Sequence, residues 1–446
     1  MRGFLKSAAI FAVTLGICGG LLFCVCALIP QSAIQPAMQQ AEEYFSALEG
    51  SVCILDGVEN TRGDDYADIA LFDVIYHVDA SRPLYSMIAA PYYRNEGGDI
   101  RLDFRASVVE GQQPNGEYAR YWHGSQVLLR PLLTFTSIHG CRAALFGLLL
   151  GLNAALAALL IRMRRVRPLL IYAAGMVLVQ FWMGLFTLEY IMSFLIMTGA
   201  CIAVAAAWRR DRDPRQLERR MTAICIISGA VVCFMDFLTT ETLTFTVPVI
   251  LWLLLDKENG HERRTFRQLL GLLVRWGAAW GMAYAFTFVV KWVLVYALMG
   301  REALMHVFSS ASYRIDRSVM QGDADAALTV RSSMLPMMLA RNVGMLFPFA
   351  EELTIGTSLG LAGGMLMLAG AFFYLFRGKT VDGAFIAALG MVAMVPYARM
   401  LALGSHSLDH YFFTYRAQMA SIMAVIAILT YSLKPSEVLH PKKRRR

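Results

Sequence analysis

The sequence predicts an all-α polytopic membrane protein of about ten transmembrane helices, with one large external loop after the first helix. Three observations predict it. The 446 residues are 57% hydrophobic and 17% charged, with a mean hydropathy of +0.50, whereas soluble domains carry about 25% charged residues. The apolar residues fall in blocks near the ~20 residues that cross a bilayer. The basic residues crowd into short turns between those blocks, as cytoplasmic loops do. The net charge of +8 therefore describes membrane topology and argues against a nucleic-acid partner. Six cysteines (Cys18, Cys24, Cys26, Cys201, Cys225 and Cys233) lie inside apolar blocks and behave as small hydrophobes. Cys53 and Cys141 fall on the external side and could pair; no CxxC or Cys/His metal spacing occurs.

The chain divides into a first transmembrane helix (1–30), an external loop domain (31–139), a multi-helix membrane domain (140–433) and a basic cytoplasmic tail (434–446). The start resembles a signal peptide, but its apolar run exceeds the ~7–15 residues of a signal core. It reads as an uncleaved helix with its N-terminus inside. The loop domain opens with a helical stripe, Ile34, Met38, Ala41, Phe45 and Leu48, able to lie flat on a membrane. A second helix is expected from near Asp64, with Leu71, Phe72 and Ile75 as its apolar face. Residues 95–115, rich in Gly, Asp and Arg, read as turns and a short hairpin. Residues 31–139 carry fifteen Asp/Glu and seven Arg but no Lys, which fits an external face.

The later spans follow at short intervals. Block 141–161 exits at a strongly basic turn, 162–167. Blocks 168–188 and 191–208 pair across Glu189-Tyr190, and 221–238 and 243–255 pair across residues 239–242. Block 269–299 is too long for one straight crossing and must tilt or project. Residues 301–341 form a second external segment. Block 342–376 exceeds one span, and its first part, through Glu351-Glu352, reads as interfacial or re-entrant. Blocks 384–403 and 418–433 complete the set, leaving both termini cytoplasmic.

Four clusters could carry chemistry. Asp64, Asp65 and Asp68 crowd three carboxylates into five positions. On a helix Asp64 and Asp68 share a face, where like charges call for a cation, a basic partner or a raised pKa. One could act as a general base, and a pair could hold a divalent cation beside a phosphate. The plain alternative is capping of the helix start. Capping explains Asp68 least, so Asp68 is the first candidate. Next, Tyr121-Trp122-His123 lies between Arg120 and Arg130. It reads as an interfacial aromatic belt or as stacking against a sugar with an arginine on its phosphate. Asp236 falls at or within the outer end of a span, where an ionisable group faces a cavity or a partner; Glu241, just beyond, reads as solvated. Finally, His406, His410 and Arg416 stand in the densest late polar stretch as donors to a phosphate or diphosphate headgroup. The His406/His410 spacing can serve zinc, but it lacks the Glu of a metalloprotease helix. A hydrogen-bonded helix entry is the plain reading there.

This layout, a first helix, a large external loop holding Asp64-Asp65-Tyr66-Ala67-Asp68, many helices and a short late loop with His and Arg, resembles the GT-C class of membrane glycosyltransferases. The carboxylates stand further from the first helix than that family's usual position. The resemblance implies an inverting transfer of sugar from a polyprenyl-phosphate-type lipid to an envelope glycan or protein acceptor, on the external face of a bacterial-type plasma membrane. It implies a base from the first loop, with no cofactor specified. A lipid-linked saccharide flippase and a noncatalytic envelope-assembly subunit are the competing classes.

Overall fold

The computed structural model describes residues 2–48, 53–95, 97–211, 213–259, 264–316, 324–347, 355–376 and 381–432. The basic tail 434–446, Glu351-Glu352 and residues 317–323 of the second external segment lie outside them. The described chain is all-α apart from one two-stranded ribbon.

Six described helices are long and apolar enough to cross a membrane. They are α1 (Arg2–Leu28), α7 (Ile138–Arg162), α9 (Leu188–Arg210), α12 (Phe266–Ile315), α15 (Gly383–Ala402) and the 411–432 segment ending in α18 (Met419–Ser432). The other expected crossings are helices too, but shorter or more charged: α8 (Val166–Leu178), α10 (Pro214–Met235), α11 (Leu243–Glu258) and α14 (Ile355–Phe376). Leu243 to Leu255 of α11 is buried throughout, so this helix forms the centre of the bundle. Large apolar side chains on α1, α12 and α14, among them Phe4, Val274, Val293, Met367 and Leu368, stand exposed. A soluble surface does not tolerate patches of this extent, whereas lipid covers them without cost. The chain is an all-α integral membrane protein.

The described residues between 31 and 137 form a layer over one end of the bundle. It holds α2 (Gln31–Ser46), α3 (Asp65–Tyr76), α4 (Pro83–Ala89), α5 (Ile100–Val108) and α6 (Gln126–Leu132). The stripe of α2 packs against α3 and α5, so its apolar face meets protein where a membrane surface was expected. The 95–115 stretch contains the helix α5, opened by the Asp99 side chain accepting from Arg101 N. Its Ile100, Phe104 and Val108 recur every four residues and are buried, a pattern the intervening polar residues hide. The hairpin shrinks to a ribbon in which β1 (Pro91–Tyr92) pairs antiparallel with β2 (Gly116–Glu117). Cys53 and Cys141 are both free thiols.

Two junctions shape the site. The third crossing ends early: α8 stops at Leu178 and a 3₁₀ turn covers Phe181–Leu185. Glu189, expected in a turn, therefore sits buried in the first turn of α9. The long helix α12 breaks at Gly300 (φ 86°, ψ −173°), a conformation essentially reserved for glycine. Beyond that break, residues 301–315 carry Ser310 and Arg314 over the end of the bundle.

Candidate active site

The N-termini of α3 and α9 meet head to head. Asp64 caps its own helix by accepting from Ala67 N at 3.0 Å. Its backbone N–H donates to Thr187 Oγ1 at 3.2 Å. The Thr187 side chain makes no cap bond to α9, and Asp68 caps that helix across the junction instead, accepting from Leu188 N at 3.0 Å. Two helix N-termini each place partial positive charge beside these carboxylates. Asp68 completes its coordination with Arg142 of α7 at 2.7 Å, and Asp65 shares the same guanidinium at 3.5 Å. Burial raises both carboxyls above their ordinary values, Arg142 opposing it. Asp68 is fully buried and does not border the nearby cavity.

Asp64 does border it. The cavity, ≈ 270 Å³, is formed by the start of α3, the loop 118–123, Glu189, Phe237 after α10, Arg314, and α16 (Gly404–Asp409) with α17 (Tyr411–Thr414). Asp64 and Glu189 both border this cavity, and their buried carboxyls repel as like charges, which favours one proton held between them. Burial pushes the Asp64 carboxyl up to about 6, and the charge of Asp68 adds to the rise.

Opposite the carboxyl pair stand aromatics and cations. Tyr66, Tyr118, Tyr121, Phe412 and Phe413 line the cavity with His123, His406 and His410. Burial lowers all three histidines, His123 and His410 to about 3, so they are neutral at ordinary pH. His410 packs against His406 with ring centroids 4.6 Å apart and planes tilted by 49°, and accepts at Nε2 from Arg314 at 2.8 Å. Among the described residues, the buried His123 Nδ1 and His406 Nδ1 find no hydrogen-bond partner. Arg120 lies over the rings of Tyr118 and Tyr121 at 4.3 and 5.2 Å and donates to Ser310 Oγ at 2.6 Å. Among the described residues neither Arg120 nor Arg314 pairs with a carboxylate. The loop bearing Tyr121 and His123 is seated by Gly124, whose N–H donates to Phe234 O at 2.9 Å. A Cβ at Gly124 would lie 2.2 Å from the Phe234 ring, so only glycine permits this approach.

A second cavity of ≈ 290 Å³ adjoins the first and shares Tyr66, Ala70, Tyr118 and Arg314 with it. Arg120 borders that one, together with Tyr92, Arg94 and Glu117.

Of the residues expected from the sequence, Asp64, Tyr121, His123, His406 and His410 thus converge on one cavity, with Arg120 beside it. The others are placed elsewhere. Trp122 is buried against Phe234 and donates from Nε1 to Thr287 O at 2.9 Å, so it is neither in a belt nor at the cavity. Arg130 is fully buried and satisfies carbonyls at the ends of α1 and α3, including Ile29 O at 2.7 Å. Arg416 lies over the Tyr190 ring at 4.3 Å and donates to Phe412 O at 2.9 Å, outside the cavity wall. Asp236 stands behind Glu189, accepting from Ser193 Oγ and Thr239 N at 2.8 Å each. Glu241 is buried and paired with Arg399 at 2.8 Å rather than solvated. Glu189, Arg314 and Arg142 were not expected at the site. A charged residue breaking an apolar run was the only sign of Glu189 and Arg142. Among the described residues no group of three or more His, Cys, Asp or Glu side chains forms a metal site.

Comparison with protein-family models, with curated proteins and with solved structures returns no match for this chain.

Proposed function

We propose that this chain is a polytopic membrane glycosyltransferase of the GT-C kind, moving a sugar from a polyprenyl-phosphate-type lipid to an envelope glycan or protein acceptor. The observation that carries the reading is the cavity itself. It brings together the buried carboxyls of Asp64 and Glu189, an arginine that pairs with no carboxylate among the described residues, tyrosines and neutral histidines. Asp64 takes the proton of the acceptor hydroxyl as its oxygen attacks the anomeric carbon. The bond from that carbon to the phosphate oxygen breaks, and the lipid phosphate leaves toward Arg314 and Arg120. Glu189 holds the Asp64 carboxyl in place through their shared proton. Tyrosine faces offer stacking surfaces for the sugar.

The ten helices that match the expected crossings (α1, α7 to α12, α14, α15 and α18) supply an even number of spans. Both termini then lie in the cytoplasm, and the 31–137 layer stands on the external face of a bacterial-type plasma membrane. The test is sugar transfer from a polyprenyl-phosphate-linked donor by the purified protein in proteoliposomes. Wild type should transfer, and Asp64→Asn should lose about 10²–10⁴-fold, the usual contribution of a positioned base. Equal transfer by the two proteins would remove Asp64 from the chemistry.

A further inference from the structure

A groove of ≈ 830 Å³ opens on the far side of the β1–β2 ribbon, bordered by Gln31, Ser32, Asp79, Tyr85, Asn115 and Glu117 among others. Its volume lies in the ~300–1,000 Å³ range of ligand sites. The groove abuts the second cavity. Glu117 borders both the groove and the ≈ 290 Å³ cavity, which in turn shares Tyr66, Tyr118 and Arg314 with the carboxyl cavity. The groove, the second cavity and the carboxyl cavity are therefore neighbours in a row across the layer, with Tyr85, Tyr92 and Tyr66 lining them in turn.

The lining identifies the occupant. Amides, hydroxyls and carboxylates dominate, and the apolar contribution is small side chains such as Pro30, Ala80 and Pro91. A lipid tail would find no apolar channel here. A peptide would find no strand edge longer than two residues to pair with, and no deep apolar socket for a side chain. An acidic chain would need cations, but the groove offers Arg82 against Asp79 and Glu117, with His77 beside them. Arg82 is already held over the Tyr85 ring at 4.4 Å, and the Tyr85 hydroxyl donates to Glu117 at 2.6 Å. A neutral chain of hydroxyl-bearing rings fits: hydroxyls exchange hydrogen bonds with amides and carboxylates, and ring faces stack on tyrosine.

We infer that the groove binds an extended neutral oligosaccharide and feeds one end of it past Glu117 and Tyr118 toward Asp64. The inference rests on the transferase reading and deepens it, because it makes the acceptor a glycan chain held over several sugar units.

The test uses the full-length protein in nanodiscs over a printed array of neutral and acidic glycans, from mono- to octasaccharides, with short peptides alongside. Neutral glycans should bind, more tightly as the chain lengthens. Tyr85→Ala and Gln113→Ala alter side chains at the groove surface, and each should weaken binding about tenfold in Kd, the scale of one truncated anchor contact. Unchanged unfolding temperatures would establish that both variants are folded. Binding confined to acidic glycans or peptides, no binding at all, or full binding by both variants would overturn the inference. The array needs no donor, so its outcome is separate from that of the transfer assay. Glycan binding without transfer would sink the transferase and leave the groove standing. Transfer with both variants binding normally would sink the groove alone.

Discussion

Asp64 and Asp68 sit one helical turn apart and meet different surroundings. Asp64 faces the cavity and Glu189, whereas Asp68 is locked between Arg142 and the N-terminus of α9. Different losses are expected from the two. Asp68→Asn leaves Arg142 buried with only the more distant Asp65, and should cost about 3 kcal/mol of stability, the low end for breaking a buried pair. Denaturant unfolding in micelles measures it, and a variant as stable as wild type would show that the ion pair contributes nothing. Asp64 gives a pH signature. A base works ionised, so with its carboxyl raised to about 6 the transfer rate should fall as pH drops through that value and level off above it. A flat profile between pH 5 and about 7 would be inconsistent with an Asp64 base. The sequence showed the carboxylate cluster but ranked its members by helical position alone. Which aspartate turns inward depends on Arg142, 74 residues away, and a guanidinium at the head of an apolar span gives no local sign of its partner. The same limit hid the structural roles of Arg130 and Trp122, whose bonds run to carbonyls more than fifty residues distant.

At the scale of elements, apolar length revealed most crossings, because a run near ~20 residues has few other uses. Junctions were less legible. The break at Gly300 lies where a straight helix would simply project, yet beyond it come Ser310, which accepts from Arg120, and Arg314, which lines both cavities. Nothing lies within 4 Å of a Cβ built at Gly300, so the cost of Gly300→Ala is backbone strain alone. That strain should reach about 1–3 kcal/mol, or the helix should straighten and carry Arg314 away. Either way, binding of the lipid-phosphate donor should weaken in an equilibrium binding assay. Donor affinity equal to wild type would show that the bend does not position the site. The head-to-head meeting of α3 and α9 was invisible for another reason: Asp68 caps a helix that begins 120 residues later.

At the scale of the whole molecule, exposed apolar faces on α1, α12 and α14 surround a bundle whose polar layer lies at one end. The proposed orientation makes that layer external. In a protein with Cys53 replaced by Ser, a cysteine at the exposed Ser81 should react with a membrane-impermeant thiol reagent in intact cells. One at the exposed Gln216, in the first turn of α10 within the basic 209–220 stretch, should not. The opposite pattern would invert the topology.

The most direct test of the central claim follows transfer and translocation together, in the same sealed vesicles carrying a labelled polyprenyl-phosphate-linked sugar and a glycan acceptor. The wild-type protein should move the label to the acceptor. Asp64→Asn should bind the donor normally and lose about 10²–10⁴-fold in transfer. Movement of the intact labelled lipid between leaflets, with no sugar reaching the acceptor, would contradict a glycosyltransferase and establish a lipid-linked saccharide flippase.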